Sequence, residues 1–393
     1  MVRLGDICIQ ITDGSHNPPT GVGESKYLML SSKNIDDDCI TLNDPRYLSK
    51  DAFDTENKRT NIEANDLLMT IVGTIGRVAI VPNRLTNICV QRSVAVLKPK
   101  SDIVYNRFLM YYLQNMRPHL EQESRGVAQK GIYLKQIGNL AISLPPLDEQ
   151  RKIAAVLDKV SDLIAKRRQQ LDKLDELVKA RFVEMFGDPV VNPYRFPMVK
   201  LGSVLTVEPQ NGLYKPQSDY VVDGSGIPIL RIDGFYNGKV TDFQKLKRLL
   251  CSDEEIQKFL LHENDIVINR VNSIEYLGKC GLIQGLLEET VYESNMMRLH
   301  IDESKFNVYY IVYLLCSQFI YNQILGKAKK SVNQASINQK DVQGLMVYIP
   351  ALTLQNQFAA LVEQTEKTKA TVSRSLEKLE TLKKSLMQEY FGG

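Results

Sequence analysis

Two stretches of the chain carry the clearest periodic pattern. In the first, the seam runs Ile153, Leu157, Val160, Ile164, Arg167, Leu171, Leu174, Val178, Arg181 and Met185. The steps alternate between four and three residues, the 3.5-residue period of a coiled coil. The second stretch repeats the spacing 205 residues later, at Phe358, Val362, Thr365, Lys369, Val372, Leu376, Leu379, Lys383, Leu386 and Tyr390. Neither stretch has an internal Gly or Pro. The first follows Pro145-Pro146, sets Asp148 and Glu149 against the positive end of the helix dipole, and stops at Gly187 ahead of Pro189. The second ends at Gly392-Gly393. The pattern predicts two long helices, 146–187 and 351–393. Arg167 and Lys369 break the seam at non-equivalent positions, either as solvated interruptions or as devices that fix the register.

Ahead of each helix the pattern changes to short apolar runs of strand length. Examples are Leu67-Leu68-Met69-Thr70-Ile71-Val72, Val78-Ala79-Ile80-Val81 and Val94-Ala95-Val96-Leu97, separated by Gly, Pro, Asn and Asp. Helical stretches near Asn106 to Gln114 and Asn307 to Leu315 interrupt them. The two regions also resemble each other. Val2-Arg3-Leu4-Gly5 returns as Val199-Lys200-Leu201-Gly202, Asn65-Asp66-Leu67-Leu68 as Asn264-Asp265-Ile266-Val267, and Gly76-Arg77 as Gly278-Lys279. Gln129 to Ile132 aligns with Gln334 to Ile337, and Leu147 and Gln150 with Leu352 and Gln355. The order of matches never breaks, so the chain is a repeat of about 200 residues. The expectation is an α+β fold with an internal pseudo-two-fold repeat. A β-rich domain spans 1–145, a coiled-coil helix 146–187, a linker and second β-rich domain 188–350, and a second coiled-coil helix 351–393. Helices with the same seam should pair antiparallel, with the domains at opposite ends. About 38 helical residues give a rod of roughly 57 Å, the length of about 17 base pairs of DNA.

Composition adds exclusions. The chain has 393 residues, 49 Lys+Arg against 46 Asp+Glu, 44% hydrophobic and 24% charged residues. These values fit globular domains and exclude collagen-like, mucin-like and largely disordered chains. No apolar run approaches the ~20 residues of a membrane helix, and the first residues lack a signal-peptide core. The expectation is a cytoplasmic chain with no membrane partner. Cys8, Cys39, Cys89, Cys251, Cys280 and Cys316 form no C-x-x-C pair and read as reduced thiols. The four histidines, His16, His119, His262 and His300, are scattered, so no metal site is expected. No phosphate-cradling loop is present. Asn17-Pro18-Pro19-Thr20 approaches an adenine-methyltransferase motif, but Thr20 stands where that motif needs an aromatic to stack on a flipped base. No catalytic residue is expected, and no cofactor on this chain.

Balanced charge does not exclude nucleic acid. Residues 1–146 hold 17 basic and 15 acidic side chains, and residues 195–350 hold 17 of each. Local clusters can still face a groove. Candidate DNA contacts in the first domain are Ser32, Lys33, Asn34, Arg77, Gln91, Arg92, Arg125, Gln129 and Lys130. In the second they are Arg231, Arg270, Asn272, Lys279, Lys327, Lys329, Lys330, Asn333 and Gln334. Arg, Lys, Asn and Gln can read guanine and adenine edges, and lysines also serve phosphates. Each of these residues also reads as ordinary solvated surface.

Leu144-Pro145-Pro146-Leu147-Asp148-Glu149-Gln150-Arg151-Lys152-Ile153-Ala154 resembles the lead into the first long helix of type I restriction–modification specificity subunits. Phe186-Gly187-Asp188-Pro189, with Asn192-Pro193, resembles that family's passage into its second half. Ser31-Ser32-Lys33-Asn34-Ile35 and Gly73-Thr74-Ile75-Gly76-Arg77 resemble segments of its target-recognition domains. The resemblance implies double-stranded DNA as a partner, with each domain reading half of a bipartite target. It implies helices that act as a ruler and dock two methyltransferase subunits carrying S-adenosylmethionine. Restriction motor-nuclease subunits using ATP and Mg would complete the complex. One departure stands out: Ile349-Pro350-Ala351-Leu352-Thr353-Leu354-Gln355 lacks the second proline and the glutamate of the first copy. The alternatives are a coiled-coil scaffold with two ligand- or protein-binding domains, and a self-contained methyltransferase, which the missing adenosyl-binding turn disfavours.

Overall fold

A computed structural model describes residues 1–124, 131–236, 238–240, 243–332 and 334–392. The chain divides into two compact units. One comprises Met1–Gln169 with Ser373–Gly393, the other Gln170–Val372. Each therefore holds one β-rich domain and a portion of both long helices.

In the first unit a four-stranded antiparallel sheet runs Cys8–Asp13, Val94–Pro99, Leu67–Thr70, Val78–Ile80. The central run Leu67–Thr70 is buried throughout because both faces of the sheet are covered. Alternation sends Leu67 and Met69 to one core, with Leu97, Phe108 and Leu109. Leu68 goes to the other core, with Val94, Val96, Leu30 and Ile88. That second core is closed by a three-stranded sheet of Arg46–Leu48, Tyr27–Leu30 and Ile88–Val90. Helix Lys50–Thr60 lies over it, its start capped by Ser49, whose hydroxyl accepts from the Ala52 N–H at 3.2 Å.

The second unit repeats this order. Gln210–Asn211, Met296–Leu299, Ile266–Asn269 and Cys280–Leu282 follow the same sequence across the sheet, extended by Gly238–Val240 and Phe235–Tyr236. The Asn-Asp repeat has a structural cause. Asn65 and Asn264 both adopt left-handed backbone, with φ of 75° and 68°. The following Asp66 and Asp265 each accept the N–H of the residue three positions earlier, at 2.8 Å. The pair turns the chain into the central strand twice over.

The long helices run Leu147–Phe186 and Leu352–Phe391, 40 residues each. Within the first unit they pack antiparallel. Ile153, Ala154 and Leu157 share a core with Met387, while Arg168 Nη2 meets Glu380 Oε1 at 2.7 Å. Within the second unit the sense is the same. Phe182 and Phe186 lie 5.4 and 5.6 Å from Phe358, and Lys369 Nζ meets Asp175 at 2.5 Å. Of the predicted seam, Val160, Ile164, Val178, Val362 and Val372 are buried. Leu171, Leu174, Leu376, Leu379 and Leu386 are half-buried.

The seam prediction fails beyond Val178. The buried face continues at Phe182 and Phe186, while Arg181 and Met185 are half-buried and Arg181 pairs with Glu184 at 2.6 Å. Against a globular domain the helix keeps its four-residue step and presents its two phenylalanines to Tyr310 and Phe358. Lys369 fits the register-fixing reading. Burial opposes its charge, but the hydrogen bond it donates to Asp175 and the field of Glu366 hold its pKa above the ordinary lysine value.

Candidate nucleic-acid interface

Each domain is bound to its long helix by the same buried amide. Gln150 Nε2 donates to the Ile103 and Pro145 carbonyls at 3.0 and 2.8 Å, and its Oε1 accepts the Tyr105 N–H at 2.8 Å. Gln355 Nε2 donates to the Pro350 carbonyl at 2.8 Å and its Oε1 accepts the Asn307 N–H at 2.9 Å. Both side chains are fully buried. Tyr105 and Asn307 cap the helices Asn106–Asn115 and Val308–Leu315. The joint therefore locks a core helix of the domain to the first turn of the long helix. The repeated Leu-x-x-Gln signalled these residues in the sequence without revealing their role.

The first-domain candidates divide by what their side chains already hold. Asn34 is buried. Its amide nitrogen donates to the Thr41 and Asn43 carbonyls at 3.2 and 3.0 Å, and its oxygen accepts the Ser31 N–H at 3.0 Å. It pins a turn and has nothing left for a base, which corrects its placement among the DNA contacts. Lys33 is paired with Asp44, and Arg77 lies 3.7 Å from Asp36. Ser32 is half-buried with its N–H on Ser93 Oγ. Gln91 is half-buried beside Ser15, and Arg92 is exposed. Arg125, Gln129 and Lys130, with Asn333 of the second domain, lie outside the described residues. The Asn17-Pro18-Pro19 string is a loop whose Pro19 carbonyl accepts from Arg46 at 2.7 Å.

The second domain gathers more. A three-stranded sheet orders Val271–Asn272, Ala335–Ser336 and Lys329–Lys330. Asn272 and Lys330 both pair with Ala335. Residues nearly sixty positions apart thus come together, beside Arg270, whose carbonyl accepts the Ile337 N–H at 2.9 Å. Arg270 spends Nη1 on the Ser294 carbonyl at 2.9 Å, and Asn272 Oδ1 accepts the Ser273 N–H at 2.8 Å. Arg231 is committed within the domain: Tyr220 Oη lies 3.3 Å away, and Glu293 and Asp233 each 3.9 Å. Burial works against the Arg231 charge, yet the Glu293 field raises its pKa.

Lys279 has a setting the sequence did not announce. Its amine lies 3.9 Å from the Tyr276 ring centroid and 5.6 Å from that of Tyr236, and both tyrosines are exposed. Two tyrosines forty residues apart gave no sequence signal. Of the candidate cations among the described residues, Arg92, Arg270, Lys279, Lys327, Lys329 and Lys330 have no carboxylate within 4.0 Å. Five of these six candidates lie in the second domain. An uncompensated, exposed cation can displace counterions from a phosphate backbone, whereas a paired one must first give up its carboxylate.

Among the described residues no three His, Cys, Asp or Glu side chains gather to hold a metal ion. No single helix among them is long and apolar enough to cross a membrane.

Comparison with known proteins agrees with this architecture. The profile of the type I restriction modification DNA specificity domain matches twice, over residues 2–176 and 193–381. A Methanocaldococcus jannaschii protein assigned as the specificity subunit of the type I restriction enzyme MjaX is 32% identical over 183 residues. That stretch is 46% of this chain and 42% of that protein. The EcoKI specificity subunit of Escherichia coli K12 is 24% identical over 318 residues, 76% of this chain and 67% of its own. The crystal structure of a type I restriction–modification S subunit from M. genitalium superposes with a TM-score of 0.59 at 14% identity, covering 99% of this chain and 95% of that one. The scaffold alternative has no comparable support. With its specificity domain matched in both halves of the repeat, the chain belongs to the family of type I restriction–modification DNA specificity subunits.

Proposed function

We propose that the chain selects the DNA target of a type I restriction–modification complex, each recognition domain reading one half of a bipartite site. The observation that carries this is the duplication itself: one domain fold, twice, each locked by a buried glutamine to the start of its own long helix. A target read by two such domains is two short sequences with an unread gap. The gap length follows from protein geometry, as half-site spacing does in dimeric DNA binders. Lysines without carboxylate partners supply the sequence-independent part of binding by neutralising phosphates. Groups that reach base edges supply the selection.

In this reading the chain is not itself a catalyst. Two methyltransferase subunits dock on the long helices and bring S-adenosylmethionine, which supplies the methyl group for adenine. Motor-nuclease subunits bring ATP and Mg, and the assembly works in the cytoplasm. Selection from a random duplex pool, with the chain assembled with its methyltransferase subunits, tests the proposal. Enrichment of a motif with two defined segments and a fixed gap is expected. No enrichment overturns it. Inserting four residues after Lys173 should change the accepted gap, and an unchanged gap refutes the ruler.

A further inference from the structure

Lys329–Val332 and Gln334–Ser336 are the described arms of a hairpin that the fold braces at its base and leaves bare toward Val332. Lys329 pairs with Ser336 and Lys330 with Ala335. Ala335 and Ile337 are buried, and Val271–Asn272 pairs along the other edge. The tip is closed by Ser331, whose N–H and hydroxyl both donate to the Gln334 carbonyl, at 2.7 and 2.9 Å. Beyond that point Val332 is 98% exposed, and Lys329, Lys330 and Gln334 are exposed beside it.

A single exposed valine is ordinary on a protein surface. Its setting is what distinguishes this one. Val222 is just as exposed but stands next to Asp223 and three residues from Asp219, which would repel a phosphate backbone. Val332 has two lysines within three residues and no acid. A two-stranded ribbon, with strands about 4.8 Å apart, enters a major groove about 12 Å wide. There the thymine 5-methyl is the apolar feature of the groove floor, and a valine methyl is its match.

Resting on the DNA-reading function proposed above, we infer that this hairpin enters the major groove and that Val332 reads a thymine through its methyl group. Gln334 stands beside it at the base edges, and Lys329 and Lys330 hold the flanking phosphates. The second domain's half-site then contains a thymine whose methyl matters.

The test uses the full chain assembled with its methyltransferase subunits, on the motif that selection yields. Each thymine of the motif is replaced in turn by deoxyuridine, which removes only the methyl. At one thymine the wild-type complex should lose about four-fold in affinity, the contribution of one buried methyl. Val332→Gly should lose about as much on the natural site and then be indifferent to uridine at that position. Val332 touches nothing in the fold, so the variant keeps its structure. Lys329→Ala with Lys330→Ala should weaken binding to all sequences and flatten the salt dependence. A selected motif at which neither uridine nor Val332→Gly has any effect overturns this inference and leaves the specificity function standing. A pool with no selected motif defeats the function itself.

Discussion

Replacing Gln150 by leucine should unfasten the first recognition domain from its helix. The side chain is fully buried and makes three hydrogen bonds, to the Ile103 and Pro145 carbonyls and from the Tyr105 N–H. Leucine keeps most of the volume, so the loss is polar. One buried N–H without a partner costs about 1–3 kcal/mol. A carbonyl has a second lone pair and costs less to strand, so two of them add about 1–2 kcal/mol. The sum, about 2–5 kcal/mol, is a large share of the ~5–15 kcal/mol of a typical domain. Gln355→Leu strands one N–H and one carbonyl and should cost about 1 kcal/mol less. A chain of two units need not unfold in one step, so the readout should be local. Hydrogen exchange of peptides covering 103–112 and 307–315 reports each joint separately. Protection should fall around Tyr105 in the first variant and around Asn307 in the second. A loss under about 1 kcal/mol for Gln150→Leu would refute the claim that this amide holds the domain to the helix.

Asp66 offers a test by pH. Burial raises its pKa above the ordinary aspartate value despite the hydrogen bond from Lys98 at 2.5 Å. A raised folded pKa means the native state binds the proton more tightly, so Asp66 lowers stability as pH rises from about 3.8 through its folded value. Asp66→Asn should therefore gain on the wild type over that rise in urea titrations, and a gap moving the other way would contradict it. Burial pushes the Cys8 and Cys89 thiols up to about 12, whereas Cys39 and Cys316 are exposed. Iodoacetamide at pH 8 should label the exposed pair first by mass spectrometry, and equal rates at Cys8 would sink this. Phe391 meets Phe108 edge-on at 5.3 Å and Tyr112 at 6.0 Å. Phe391→Ala should cost about 1–2 kcal/mol and release the last turn of the second helix, and unchanged exchange there would show that the ring anchors nothing.

Elements governed by local pattern were legible in the sequence. The limits of the first long helix followed from Pro-Pro before and Gly after. The repeated Asn-Asp was legible as a match between the two copies, but not as a turn of left-handed backbone followed by a carboxylate acceptor. The continuous run at Leu67–Thr70 was legible as a strand, though not that two cores share its alternate residues. What long-range packing decides was not legible. The shift of the seam to Phe182 and Phe186 depends on Tyr310, far along the chain. The site was legible only as residue types. Asn34 and Lys330 look equally fit to meet DNA on paper. The fold buries one in a turn and sets the other on a bare hairpin, across the Ala335 strand from Asn272.

The two lead-ins to the long helices show what the repeat has kept and what it has let go. Both place a glutamine at the fourth helical residue, donating to the carbonyl of the proline five residues earlier at 2.8 Å. Both accept an N–H from the cap of a core helix. These contacts need only one proline and one glutamine, and the second copy retains both. The exposed Asp148 and Glu149 of the first helix become Thr353 and Leu354 in the second. That exchange removes a favourable dipole interaction of about 0.3–1 kcal/mol per charge, an amount the joint's hydrogen bonds exceed. The internal joint is kept in both copies, while the first turn has exchanged two exposed carboxylates for an exposed Thr353 and a Leu354 that packs against the core of the second unit. A subunit docking against the two helix starts would meet two carboxylates at one and none at the other. Thr353→Asp, at the exposed position, should leave the stability of the second unit within about 1 kcal/mol of wild type and alter only partner affinity. A larger loss of stability would show that Thr353 belongs to the joint, as Leu354 does by its packing on the core.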